Sequence, residues 1–310
     1  MRHLFSILVL VGAFSTIAQA QQIPLRSNYL MSTFQDHPAA AGNVDCLDLR
    51  LGVRNQWVGF EGAPTNSYAS LTGRLSEGPR SISGIGGRIE TDQAGPWGTT
   101  SFSLAYAHKL KMNNGAWLSA GLALGVSQYS LNIGSLDFPD VETASDDAVA
   151  GSTQFIYPTI DAGLWYQDER TFGGVSLINA TAATLNTITL GSKTSRYVVV
   201  TAGTSIELDG WFLFRPSSQI RITKGLPPSF EINGAVVYAD FLAIGLGYRN
   251  QSALVGSLQI SLLDYLKVGY SYDFGISEIR AASVSSHEIT IAISACDITA
   301  SRGQHCSAYD

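Results

Sequence analysis

Apolar residues alternate with small or polar ones, at a period of two, along most of the chain. Leu47, Leu49, Leu51 and Val53 alternate with Asp48, Arg50, Gly52 and Arg54. Leu118, Ala120, Leu122, Leu124 and Val126 alternate with Ser119, Gly121, Ala123, Gly125 and Ser127. Similar rows run through Val198–Ile206, Leu266–Phe274 and Glu288–Ser294. Successive side chains of a β-strand point to opposite faces, so each row predicts a strand with one apolar face and one small or polar face. The pattern predicts about 14 antiparallel strands (12 to 16), beginning near residues 46, 66, 81, 99, 116, 155, 171, 195, 212, 229, 241, 252, 265 and 286.

Two all-β folds share this alternation: a β-sandwich, whose inner face is apolar, and a transmembrane barrel, whose lumen is polar. Connection lengths favour the barrel. Ser76–Arg80, Lys111–Gly115, Gln167–Arg170, Leu208–Gly210, Ala239–Asp240 and Leu263–Asp264 are short, and Asn114-Gly115 and Asp209-Gly210 are hairpin-turn dipeptides. The intervening connections Val58–Thr65, Thr91–Gly98, Asn132–Ser152, Thr181–Thr194 and Gly275–Ser285 are longer. Outer-membrane barrels combine short periplasmic turns with longer outer loops, and an even strand count puts both termini on the short-turn side.

The ends of the chain differ from this barrel region, residues 46–295. Residues 1–20 read as a secretory signal peptide: Arg2 and His3, an apolar run Leu4–Phe14, then Ala18-Gln19-Ala20 as the small-residue cleavage pattern. That run is too short for a membrane-spanning helix, which needs about 20 apolar residues. Residues 21–45 lack alternation and are expected in the periplasm or the lumen. Residues 296–310 form a polar tail.

Composition narrows the function classes. Charged residues are 14% of the chain and hydrophobic residues 45%, against about 25% charged in a typical soluble domain. Disorder needs the opposite balance. The 31 glycines count against a helical bundle, since each costs about 1 kcal/mol in a helix interior. A net charge of −6 without a basic stripe excludes nucleic acid as a partner class.

No catalytic or metal-binding constellation is present in the sequence. His37, His108, His287 and His305 match no metal-ligand spacing, and no nucleophile elbow or phosphate loop appears. Gly84-Ile85-Gly86-Gly87 lies within an alternating strand and reads as barrel wall, where close backbone approach excludes a side chain. The acidic stretch Asn132–Ser152 reads as a solvated loop. Cys46, Cys296 and Cys306 permit one disulfide, with Cys296–Cys306 favoured. Asp48, Arg50, Arg54, Lys267, Asp273 and Glu288 all lie opposite apolar rows. In a closed barrel the first and last strands are neighbours, so these six charges are expected to form one luminal network near the seam. A cation on the lipid face costs about 2–4 kcal/mol at the midplane.

Arg54-Asn55-Gln56-Trp57-Val58-Gly59-Phe60-Glu61-Gly62-Ala63-Pro64 resembles the R-N-Q-W-x-G-x-x-G-A-P signature of the PorP/SprF family. Ala39-Ala40-Ala41-Gly42, Tyr106-Ala107-His108, Leu246-Gly247-Tyr248-Arg249, Gly269–Phe274 and Ser286-His287-Glu288-Ile289 resemble further family blocks in order. The resemblance runs from about residue 22 to 296. It implies a non-enzymatic, cofactor-free integral outer-membrane barrel of the Bacteroidetes type IX secretion and gliding-motility system. Such a protein supports export or surface attachment of proteins with a C-terminal signal domain, often adhesins. Its implied partners are periplasmic-ring or peptidoglycan-binding components, the secreted protein, and outer-membrane lipid. The alternative is a passive porin or solute channel. Arg54, Asn55, Gln56, Trp57, Gly59, Gly62 and Pro64 are the candidate partner-binding motif; the alternative role for them is closure of the first hairpin, with Trp57 at the membrane interface.

Overall fold

A computed structural model describes residues 24–132, 152–183, 194–277 and 285–295. The strands are β1 (Leu47–Asn55), β2 (Thr65–Glu77), β3 (Ser81–Ala94), β4 (Trp97–Lys111), β5 (Trp117–Asn132), β6 (Ser152–Gln167), β7 (Thr171–Ile178), β8 (Tyr197–Thr204), β9 (Ile206–Asp209), β10 (Phe212–Thr223), β11 (Ser229–Tyr238), β12 (Leu242–Arg249), β13 (Ala253–Leu263), β14 (Leu266–Gly275) and β15 (Ser285–Ala295). Each pairs antiparallel with the next around a ring. β1 pairs with β15 from Leu47↔Ala295 to Asn55↔His287, and this seam closes it. β8 and β9 both pair with β10 and together make one wall strand interrupted at Ser205. The wall is thus a closed barrel of 14 strands, and closure leaves no long exposed edge.

The wall is apolar outside and polar inside. On β5, Leu118, Leu122, Leu124 and Val126 are exposed, while Ser119, Ala123 and Ser127 are buried. On β1, Leu47, Leu51 and Val53 face out and Asp48, Arg50 and Arg54 face in. Exposing so many large apolar side chains in one continuous band would be ruinous in water and is what a lipid-facing band requires.

Two features of the connections depart from expectation. The expected loop Thr91–Gly98 is a two-residue turn, Gly95-Pro96, because β3 and β4 stay paired from Ser81↔Leu110 to Ala94↔Trp97. Gly95 supplies the positive φ of +56° that the turn needs. The β12–β13 connection on the same end is also short, Asn250–Ser252. The acidic residues of the β5–β6 connection, the expected signal peptide at 1–20 and the segment 296–310 lie outside the described residues.

Candidate functional site

The N-terminal segment occupies the lumen. Residues 24–46 run down it from the long-loop end to the foot of β1, carrying a short helix, α1 (Thr33–Asp36), and a 3-10 turn at Pro38–Ala40. Nearly all of its side chains from Arg26 to Ala41 are buried. One turn of helix is marginal in isolation; here the wall supplies its stability.

At the long-loop end the segment is tied by ion pairs. Arg54 donates from Nη2 to Asp273 at 2.7 Å and from Nη1 to Glu288 at 3.4 Å. Arg249 donates to Glu231 at 2.6 Å and to the same Asp273 oxygen at 2.7 Å. Ser27 sits among them: its amide donates to Glu288 at 2.7 Å, and its hydroxyl receives bonds from Arg54 (3.0 Å) and Arg249 (2.7 Å) while bonding Asp273 at 2.7 Å. One buried serine therefore joins four charges contributed by β1, β12, β14 and β15. Beside it, Arg26 bridges Asp36 and Glu90, and Asp36 also accepts from Arg221 at 2.9 Å.

Midway, Arg88 pairs with Asp161 and donates to the carbonyls of Phe34 (2.9 Å) and Gln35 (2.5 Å). His37 is held by Ser176 and Thr201, each at 2.8 Å from one ring nitrogen, with the Trp165 ring 5.0 Å away. These partners consume both nitrogens of the imidazole, so it serves as an anchor.

Towards the short-turn end the contact is backbone on backbone. A Cβ on Gly84 would lie 2.1 Å from the Ala41 carbonyl oxygen, and one on Gly121 would lie 2.4 Å from the Ala39 backbone. Such distances leave room for glycine alone. Ser119 donates to the Ala39 carbonyl and Lys109 to that of Gly42, each at 2.7 Å. Arg74 pairs with Asp45 where the segment leaves the lumen.

Above the segment a cavity of about 610 Å³ remains, lined by Pro24, Asp92, Trp97, Tyr129, Tyr157 and Tyr197 among others. No group of three or more metal-ligating side chains occurs among the described residues.

The expected network of six charges is corrected by register. Asp48 is opposite Ser294 and Arg54 is opposite Glu288, so the two positions on β1 are six residues, roughly 20 Å, apart. Arg54, Asp273 and Glu288 come together. Arg50 bonds Asp48 locally at 2.8 Å, and Ser294 donates to Asp48 at 2.7 Å. Lys267 joins neither group: it is opposite Ala292, near the foot of β14, and makes no ion pair among the described residues. Arg249, Glu231 and the luminal segment's own Arg26, Ser27 and Asp36 were not among the charges and partners expected in this network, although residues 21–45 were expected in the periplasm or the lumen. Arg249 lies in the quoted Leu246–Arg249 block, on the polar side of its strand, and that phase was the one available signal.

The Arg54–Pro64 motif is split. Arg54 points into the lumen and Asn55 is exposed on the other face. Trp57, at a φ of +52°, donates its amide to the Ser286 hydroxyl at 3.0 Å. The Gln56 amide donates to the Pro64 carbonyl, the Val58 amide to that of Ser285, and the Gly95 amide to that of Gly62. Gly59 and Gly62 have φ of +94° and +72°. The motif thus closes the first hairpin and braces it against β15 and the β3–β4 turn.

Cys46, which the expected Cys296–Cys306 bridge leaves free, is disulfide-bonded. Leu47 faces Ala295 across the seam, so Cys46, which immediately precedes Leu47, lies at the foot of the barrel. Cys296 and Cys306 themselves lie outside the described residues.

Among solved structures, the chain is similar to the CymD monoaromatic hydrocarbon channel (14% identity, 88% of this chain and 92% of that one, TM-score 0.48). It is similar to a FadL homologue of Pseudomonas aeruginosa (10%, 90% and 96%, TM-score 0.48) and to the outer-membrane protein Omp33 of Acinetobacter baumannii (8%, 81% and 99%, TM-score 0.44). No curated protein matches the chain. The family model for the type IX secretion system membrane protein PorP/SprF matches residues 18–293. With the closed lipid-facing wall already in view, the chain belongs to the PorP/SprF family of type IX secretion system membrane proteins.

Proposed function

We propose that this protein is a non-catalytic outer-membrane scaffold of type IX secretion. It docks other components of the system and a secreted protein carrying a C-terminal signal domain, such as an adhesin, and so supports that protein's export or surface attachment. In this reading the leader at 1–20 is removed, the short turns face the periplasm, and the long loops face outward. Periplasmic-ring or peptidoglycan-binding proteins then meet the short-turn end.

The observation that carries the reading is the filled lumen. Residues 24–46 are tied to the wall from Ser27 to Asp45. A solute passing through would have to break buried ion pairs whose loss costs several kcal/mol. A passive porin has the opposite need, so what the protein offers a partner is its surfaces. The experiment has two arms. Deleting the gene should abolish surface display of a protein bearing the C-terminal signal, while the purified barrel in planar bilayers should show no steady conductance. Normal display in the deletion strain, together with a steady open pore, would establish the channel reading instead.

A further inference from the structure

Along the composite wall strand made of β8 and β9, β8 has a strand on both sides and β9 does not. β7 pairs with β8 only as far as Thr171↔Thr204, and the Ser205 amide then donates to the Arg170 carbonyl at 2.7 Å. Beyond that point Ile206–Asp209 has β10 on one side and no strand on the other among the described residues. All four residues are exposed. At about 3.3 Å per residue the free edge is roughly 13 Å long. A groove of about 540 Å³ runs beside it, lined by Arg170, Ser205, Glu207, Asp209 and Gly210.

Unpaired strand edges invite another strand, and proteins blunt them with short strands, charged side chains (lysine above all), proline, bulges or a cover. Ile206-Glu207-Leu208-Asp209 has neither lysine nor proline. Its own two charges, Glu207 and Asp209, are both negative, and the adjoining turn adds Asp168 and Glu169 beside one cation, Arg170. Ile206 is opposite Phe214 on the outward, apolar face, and Glu207 is opposite Leu213 on the inward phase. Neighbouring strands place facing residues on the same side of the sheet. An added strand would therefore present an apolar residue beside Ile206 and a basic one beside Glu207, before the register shift that puts Asp209 opposite Phe212.

We propose that β9 is a strand-addition site at the short-turn end, and that its occupant is an extended partner segment alternating apolar residues with Lys or Arg. Main-chain hydrogen bonds would supply the pairing and the charges its selectivity. The irregular register opposite Phe212/Leu213 limits the paired stretch to a few residues, which suits a reversible contact. This rests on the reading that the barrel docks partner proteins, and it names one place where that happens.

The test uses the full chain in nanodiscs and three synthetic eight-residue peptides with a central photoreactive residue: alternating Val and Lys, alternating Val and Glu, and the Val/Lys composition rearranged in blocks. The alternating Val/Lys peptide should crosslink at least tenfold more than the other two, with adducts mapping to residues 205–209. Glu169→Lys with Glu207→Lys, both exposed positions, should reverse the preference towards the Val/Glu peptide while leaving heat resistance of the folded band unchanged. Equal labelling by the alternating and block peptides, adducts spread over other turns, or no response to charge reversal would overturn the site. So would crosslinking of residues 205–209 to the protein's own residues 296–310 in untreated samples, since the edge would then be covered from within. Export is scored separately in cells: peptide pairing at β9 with undiminished display in the reversed variant supports the site and removes its link to secretion, whereas loss of pairing with display intact removes the site alone.

Discussion

The luminal segment is held by different physics at its two ends. From Pro24 to His37 it is fastened by side chains, through Ser27 among Arg54, Arg249, Asp273 and Glu288 and through Arg26 between Asp36 and Glu90. From Pro38 to Gly42 it is fastened by shape, with alanine backbone pressed on Gly84 and Gly121. The upper fastening depends on charge and direction, and one missing partner strands the others in a dry interior. The lower depends on absent side chains, and one added methyl group is enough to oppose it. The upper end should therefore fail by losing stability, and the lower by releasing the segment while the wall survives.

The largest expected effect is at the upper end. Arg54→Leu leaves the buried Asp273 with Arg249, which it shares with Glu231, and the buried Glu288 with the Ser27 and Asn28 amides. Breaking a buried charge pair by removing one partner costs about 3–5 kcal/mol. The temperature at which the folded band converts on a denaturing gel should drop steeply. An unchanged band would mean that the segment is held without its ion pairs, and the contrast between the two ends would vanish.

That contrast also marks what the sequence could reveal. The wall was legible because period-two alternation survives wherever one face meets lipid, and a charge on the polar phase of β1, such as Arg54, could be assigned to the lumen. The lower fastening was half legible: Gly84-Ile85-Gly86-Gly87 signalled a close approach, without naming Ala41 as what approaches. The upper fastening was not. Ser27, Arg26 and Asp36 sit in a stretch with no periodicity, and their partners on β3, β10 and β12 are distant in sequence. Lys267 shows the converse error: its phase was read, but phase carries no information about height along the barrel, which only strand register fixes.

Next in size is the foot of the seam. Cys46→Ser removes the disulfide at the start of β1; the other two cysteines of the sequence are Cys296 and Cys306. Disulfides of this kind contribute about 2–4 kcal/mol. Non-reducing gels should show slower mobility of the unfolded chain for Cys46→Ser, and earlier conversion of the folded band. If instead Cys46→Ser migrates like the parent chain without reductant, the bond does not join the two ends.

Gly84→Val and Gly121→Val address the lower fastening directly. A Cβ at either place overlaps backbone atoms of Ala41 or Ala39, so the segment must shift away from the wall. Overpacking costs about 1–3 kcal/mol, less than Arg54→Leu. The sharper readout is conductance: these variants should show steady or flickering currents in planar bilayers where the parent barrel is silent, with the folded band only slightly affected. Silence in both variants would mean that the upper ties alone keep the lumen shut.

The smallest effect is expected from Arg50→Met, four positions before Arg54 on β1. Arg50 is as buried as Arg54 and lies on the same strand and face, so burial alone would rank the two alike. Their partners differ. Arg50 bonds Asp48 two residues away on its own strand, and Asp48 keeps the Ser294 hydroxyl at 2.7 Å when the guanidinium is gone. Arg50 also donates to the Met31 carbonyl of the luminal segment, at 3.5 Å. The loss should be about 1 kcal/mol, the scale of an ordinary hydrogen bond, and methionine replaces much of the apolar stem. A drop as large as that of Arg54→Leu would show that any buried luminal charge is equally critical. A small one would show that what matters at the upper end is connection between strands, because a residue joined to β14, β15 and the segment at once cannot be removed without loosening all three.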